Sequence, residues 1–116
     1  MTQSYIGTKQ ILAWEQDKDG QPGYSVKYAD GYVSWSPKDV FESAYLPIGH
    51  VNHLPAHQQR VIGEKAQLDD KVSKLAAFLD AEFFRSLDAA EQERLTVQLG
   101  AMREYQQILA ERIAVF

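Results

Sequence analysis

Asp88-Ala-Ala-Glu-Gln-Glu-Arg-Leu-Thr-Val-Gln-Leu-Gly-Ala-Met-Arg-Glu-Tyr-Gln-Gln-Ile-Leu-Ala-Glu-Arg-Ile-Ala-Val-Phe116 is the stretch whose reading decides the fold. Within it Leu95, Leu99, Met102, Gln106, Leu109, Ile113 and Phe116 recur in alternating steps of four and three. That is a heptad seam, the signature of a helix packed along its length on another helix. Asp88 suits the N-cap, and Glu91, three residues on, completes a capping box. Upstream, Pro55 starts another helix that runs to about Asp80, with a seam of Val61, Leu68, Val72, Leu75 and Leu79. Phe83 and Phe84 fall in a short connection, which makes the two helices antiparallel neighbours. Lys65 interrupts the first seam and Gln106 the second. Counting back from the connection sets them near one level, so they are expected to share a polar layer. Gly63 and Gly100 fall inside these helices, each costing about 1 kcal/mol relative to alanine. They leave room for another backbone, or a ligand, to approach.

The chain changes character near Pro47. Before it, Tyr5 to Lys9 and Ile11 to Trp14 are β-prone runs, and Asp17 to Gly23 is a polar turn. Tyr24 to Tyr28 alternates large and polar residues, as a half-buried strand does. Ala29-Asp30-Gly31 signals a tight hairpin turn before Tyr32 to Trp35 resumes the strand. Tyr24, Val26 and Tyr28 share one face, and Val33 and Trp35 share another. Ser36-Pro37-Lys38-Asp39 reads as a helix start, with Ser36 as N-cap, Pro37 at the first helical position and Asp39 near the positive end. Val40, Phe41, Ala44 and Tyr45 line one face of that short helix. Residues 49–55 read as a linker. The expected architecture is α+β: a small N-terminal antiparallel β lobe with a short helix over 1–48, then a long antiparallel helical hairpin over 49–116.

Composition narrows the function. The chain has 116 residues, 45% hydrophobic and 24% charged, as in an ordinary globular domain. A net charge of -4 speaks against a partner in polymeric nucleic acid, which calls for a basic excess. There is no cysteine, hence no disulfide and no thiolate chemistry. No signal pattern or membrane-length apolar run is present, so a cytosolic location is expected. A chain this short buries a limited fraction of its surface, and self-association through the hairpin would extend it.

No nucleophile elbow, Walker loop or dinucleotide glycine loop occurs, and no cofactor is expected. His50, His53 and His57 carry spacings that a metal site can use, but Pro55 breaks the segment and no carboxylate lies among them, so a solvated linker is the preferred reading. Glu64, Asp69 and Asp70 read as a solvated helix face. Arg60, Lys65, Arg103 and Arg112 are either ordinary surface charge or cations that converge on phosphate when subunits pack together. Trp35, Tyr32, Phe41 and Tyr45 are either core of the β lobe or faces on which a base stacks.

Two stretches carry a family resemblance. The first is Gly31-Tyr-Val-Ser-Trp-Ser-Pro-Lys-Asp-Val-Phe-Glu-Ser-Ala-Tyr45, preceded by Tyr5-Ile-Gly-Thr-Lys9. The second is His57-Gln-Gln-Arg-Val-Ile-Gly-Glu-Lys-Ala-Gln-Leu-Asp-Asp-Lys71, continued by Met102-x-x-Tyr105 and Arg112-Ile-x-x-Phe116. Together they resemble the first Thoeris anti-defence protein family of bacteriophages, and the hairpin alone is similar to that of phage anti-CBASS sponges. Asp17 to Gly23 stands where some relatives carry a longer insert.

The resemblance implies a sponge that sequesters nucleotide immune signals in the host bacterial cytoplasm without degrading them. Its implied ligands are glycocyclic ADP-ribose and cyclic di- or trinucleotides, and its implied assembly is a homo-oligomer, from dimer to hexamer. The ligand-binding residues expected from the matched segments are Ser34, Trp35, His57, Arg60 and, further along the helix, Gln67. Lys65 is ligand-facing or part of the polar layer, while Arg103 and Arg112 are expected to contact phosphate. Two rival readings remain. A protein–protein adaptor or inhibitor of a defence enzyme would leave a large apolar patch after self-assembly. An enzyme degrading the same signals would need a general base, with His57 and Glu64 first in line.

Overall fold

The computed structural model describes all residues from Met1 to Phe116. The chain divides into two compact units, Met1–Leu46 and Pro47–Phe116. The first holds a three-stranded antiparallel sheet and a short helix, the second a helical hairpin, so the α+β architecture expected from the sequence is the one observed.

In the first unit, strands β1 (Leu12–Glu15), β2 (Gly23–Lys27) and β3 (Val33–Pro37) lie in the order β1-β2-β3. The β1–β2 turn closes on Lys18 and Gln21, whose backbones exchange two hydrogen bonds of 2.9 Å. Asp19 and Gly20 between them both have positive φ, the requirement of a type I′ turn. The β2–β3 turn closes when Gly31 N–H donates to the Tyr28 carbonyl, at φ 89°, and Asp30 accepts from the Tyr32 N–H at 2.9 Å. Gly31 and Asp30 thus each fill the role that turn chemistry assigns them. The run Tyr5–Lys9 is not a strand. It joins neither of the sheet's outer edges, at β1 or at β3, and the Lys9 ammonium lies 4.8 Å over the Tyr28 ring.

Helix α1 (Lys38–Ala44) follows β3 directly. Ser36 does not cap it. It is committed to the sheet opposite Tyr24, Pro37 occupies the N-cap, and the Lys38 N–H donates to the Pro22 carbonyl at 3.2 Å. A backbone acceptor thus does what a serine hydroxyl was expected to do. The α1 face packs through Phe41, stacked on Tyr24 at 4.1 Å and on Tyr45 at 5.1 Å. Beside it Val26 is buried. Tyr24 also donates its hydroxyl to Glu42 at 2.7 Å, and that bond raises the phenol pKa.

In the second unit, α2 (Ala56–Leu79) and α3 (Ala89–Ala114) are joined by a 3₁₀ turn, Glu82–Ser86. Val61, Leu68 and Val72 of α2 and Leu99 and Leu109 of α3 are buried in one cluster, with Leu75, Leu79, Met102 and Ile113 packed around it. Of the expected α3 seam, Leu99, Met102, Leu109 and Ile113 lie in or against this cluster, Leu95 is half-buried outside it, and Phe116 lies beyond the last helical turn and is exposed. The Asp88 side chain caps α3 by accepting the Glu91 N–H at 2.8 Å. The reciprocal half of the capping box is not formed, because the Glu91 carboxylate accepts from Arg94 instead. Phe78 meets Phe83 and Phe84 at 6.1 Å and closes the connection end. Residues 49–55 are not a fully solvated linker, since Val51 is buried there. No helix is long and apolar enough to cross a membrane.

Leu109 is fully enclosed, so truncation would leave a void between the helices as well as losing transfer free energy. Leu109→Ala is expected to destabilise the hairpin by about 2–5 kcal/mol, read by urea unfolding followed by helical circular dichroism.

Candidate functional site

Two surfaces, one in each unit, carry Trp35 and Lys65 of the residues singled out from the sequence. In the first unit, strand register decides which side chains can act together. Trp14, Ser25 and Trp35 are directly paired across the three strands, as are Leu12, Lys27 and Val33, and paired residues share a face. Ser34 is paired with Val26, on the face that also carries Tyr24. Trp35 and Ser34 therefore point to opposite sides of the sheet and cannot both touch a ligand lying on one side.

Trp35 lies across the end of β2. Its indole N–H donates to the Gln16 carbonyl at 2.6 Å, and its ring covers Gly23. A side chain at position 23 would meet the Trp35 ring at 2.6 Å and the Ser36 carbonyl at 2.5 Å, so only glycine lets the indole lie there. The Lys18 ammonium sits 5.5 Å over the ring. Leu12, Trp14 and Val33 on the same face are each about half exposed. Aromatic surface beside a cation can accept a planar group carrying negative charge. Trp14 and Lys18 were not singled out from the sequence. The alternation of Leu12 and Trp14 was the available signal, but their side of the sheet becomes known only with the β1–β2 register.

In the second unit, Lys65 and Gln106 do share one layer, joined by a residue expected on the solvated face. Asp69 accepts from the Lys65 ammonium at 2.8 Å and from the Gln106 amide at 2.7 Å, so the carboxylate bridges α2 to α3. The Lys65 hydrogen bond, aided by Gln106, holds the Asp69 pKa below the usual carboxylate range despite partial burial. Beside this layer lies a shallow, open groove of about 440 Å³. Ile48, Ile62, Ala66, Ala110 and Ile113 line it, with Lys65 and Asp69 at its polar edge.

The other sequence-derived residues do not gather there. Helical spacing puts His57, Arg60 and Gln67 along the opposite flank of α2 from Ile62, Ala66 and Asp69, and all three are exposed. Arg103 and Arg112 are exposed on nearly opposite sides of α3, so a single hairpin cannot close both around one phosphate. His50 and His53 precede α2 and form no metal-holding group with His57.

Residues 55–115, the whole hairpin, match the Sequestin family. A protein of Enterobacteria phage T4, described as an uncharacterized 7.5 kDa protein in the denB-rIIB intergenic region, is 41% identical over 61 residues, which cover 53% of this chain and 95% of that one. No solved structure matches.

The bridging carboxylate gives stability a definite pH dependence. Because its pKa is lowered in the folded chain, Asp69 contributes above the unfolded carboxylate pKa, and the contribution is lost as pH falls through the folded value. Asp69→Asn is expected to cost at most about 1 kcal/mol at neutral pH, since the pair is partly exposed and screened. The gap to the wild type should close in strong acid when thermal unfolding is compared across pH.

Proposed function

We propose that this chain, which belongs to the Sequestin family, is a sequestering protein that holds a small signal molecule and does not convert it. The observation that carries this reading is the family match, which spans the hairpin from its first residue to its last turn. The phage relative supports a role during infection, in the host bacterial cytoplasm. Sequestration asks only for tight, stoichiometric binding, so it needs donors, cations and apolar surface rather than an activated nucleophile or a tuned base.

The ligand of this reading is a cyclic nucleotide immune signal: glycocyclic ADP-ribose, with cyclic di- or trinucleotides as further ligands. Holding it would blunt Thoeris defence, and CBASS defence where cyclic oligonucleotides carry the signal. Such molecules combine bases, which stack on aromatic rings, with phosphates, which arginine and lysine grip. Trp35, half-buried with a cation over its ring, supports the first requirement. Exposed Arg60, with His57 and Gln67 on its flank of α2, supports the second. Lys65 stands at the edge of a groove whose volume lies within the range of roughly 300–1,000 Å³ common for small-molecule sites. Ser34 is the weakest of these contacts, since it faces away from Trp35. Arg103 and Arg112 contribute through assembly, where different copies bring them together, in a dimer that builds to a hexamer.

The test is to incubate the purified protein with glycocyclic ADP-ribose, remove free ligand, denature by heat and examine the supernatant by mass spectrometry. Intact ligand, recovered in proportion to protein, is the expected result. A converted product would make the chain an enzyme and overturn the reading, and recovery of nothing, with cyclic oligonucleotides giving the same blank, would also overturn it. Trp35→Ala and Arg60→Ala are each expected to raise the Kd about tenfold, a loss of ~1.4 kcal/mol of binding, read by calorimetric titration with the same ligand.

A further inference from the structure

The face of the sheet turned away from α1 brings together residues that the core of the first unit does not use. Strand register sets Trp14, Ser25 and Trp35 in one row across it and Leu12, Lys27 and Val33 in the next. Both tryptophans of the chain therefore stand on this one face. They flank Ser25, whose small side chain keeps the middle of the row low, and their backbones lie two strand spacings, or about 10 Å, apart. The opposite face supplies the core, with Val26 buried and Tyr24 stacked on Phe41. An indole is a large apolar payload that proteins ordinarily bury, yet Trp14 is 46% exposed. The Trp35 ring is fixed in place by its N–H on the Gln16 carbonyl and by the bare backbone of Gly23 beneath it.

The chain is acidic overall, with a net charge of -4, but this face is not. None of its strand positions holds a carboxylate, since Glu15 pairs with Tyr24 and lies on the other side. Its charges are two ammoniums: Lys18 over the Trp35 ring, and Lys27, exposed between Leu12 and Val33. The three ion pairs of the chain all join residues of the second unit, so no carboxylate neutralises either lysine. Lys18 stands where Trp35 covers Gly23, and Lys27 is four residues further along β2, about 13 Å. The two cations thus bracket the indoles. A bare phosphate would leave the indoles in water, and an uncharged ring would leave the lysines idle. From this we infer that the face takes a purine nucleotide. The base lies on the indoles, displacing the Lys18 ammonium from the Trp35 ring, and Lys18 and Lys27 hold phosphate.

This inference deepens the ligand reading above and rests on it for which nucleotide is bound. Because no tryptophan stands elsewhere, indole fluorescence reports on this face alone. Glycocyclic ADP-ribose or adenosine monophosphate is expected to quench that emission saturably, and adenosine, which lacks phosphate, only at much higher concentration. Lys27→Glu, at an exposed position that leaves both indoles intact, is expected to raise the midpoint at least about tenfold. Lys38→Glu on α1 makes the same change in net charge away from the face and should leave the midpoint unchanged. Equal effects of the two substitutions would reduce the lysine's part to net charge and overturn the inference. So would tighter quenching by a short single-stranded DNA than by either nucleotide, which would make this a strand-binding face. Intact ligand captured in the mass-spectrometric test, with emission unchanged by both nucleotides, would overturn the inference and leave sequestration standing. Quenching by adenosine monophosphate with no signal captured would do the reverse.

Discussion

The contact between α2 and α3 is the constraint on which the second unit depends. Two helices of this length cannot persist in water on propensity alone, since most helical stability in proteins comes from packing an amphipathic face. Here the packing is concentrated in a narrow line of Val61, Leu68 and Val72 against Leu99 and Leu109. A two-helix hairpin has one internal face per helix, so its core is thin and a large part of each helix stays at the surface. That geometry leaves a long flank of each helix exposed.

The polar layer at Lys65, Asp69 and Gln106 follows from the same contact. Apolar residues at 65 and 106 would let the helices slide by a heptad with little change in packing. A carboxylate hydrogen-bonded to both helices allows one register only. It is a half-exposed network, so its contribution to stability is modest, and its value lies in specifying alignment. The groove beside it inherits that alignment, because Ile62, Lys65 and Ala66 come from one helix and Ala110 and Ile113 from the other.

The first unit is organised by strand register instead. Two turns with glycine at positive φ bring three short strands together, and Gly23 clears the space in which Trp35 lies. The result is one face packed on α1 through Tyr24 and Phe41 and another carrying Trp14 and Trp35 partly open to solvent. A sheet this small holds a flat indole with an ammonium over it because its other face supplies the core.

The sequence by itself determined the hairpin, the strands from Tyr24 to Trp35, the turns and the Asp88 cap. Each of these is a local pattern: a period of 3.5 or 2, a glycine at a forced φ, an acceptor one turn before a free N–H. The failures were non-local. Ser36 lost its cap because the β2–β3 pairing claimed it, and Tyr5 to Lys9 had strand propensity but joins neither open edge of the sheet. Asp69 read as solvated because its second partner, Gln106, lies on the other helix. Only the tertiary structure decided which faces meet, since register and rotation depend on contacts between residues distant in the chain, and no local periodicity encodes those.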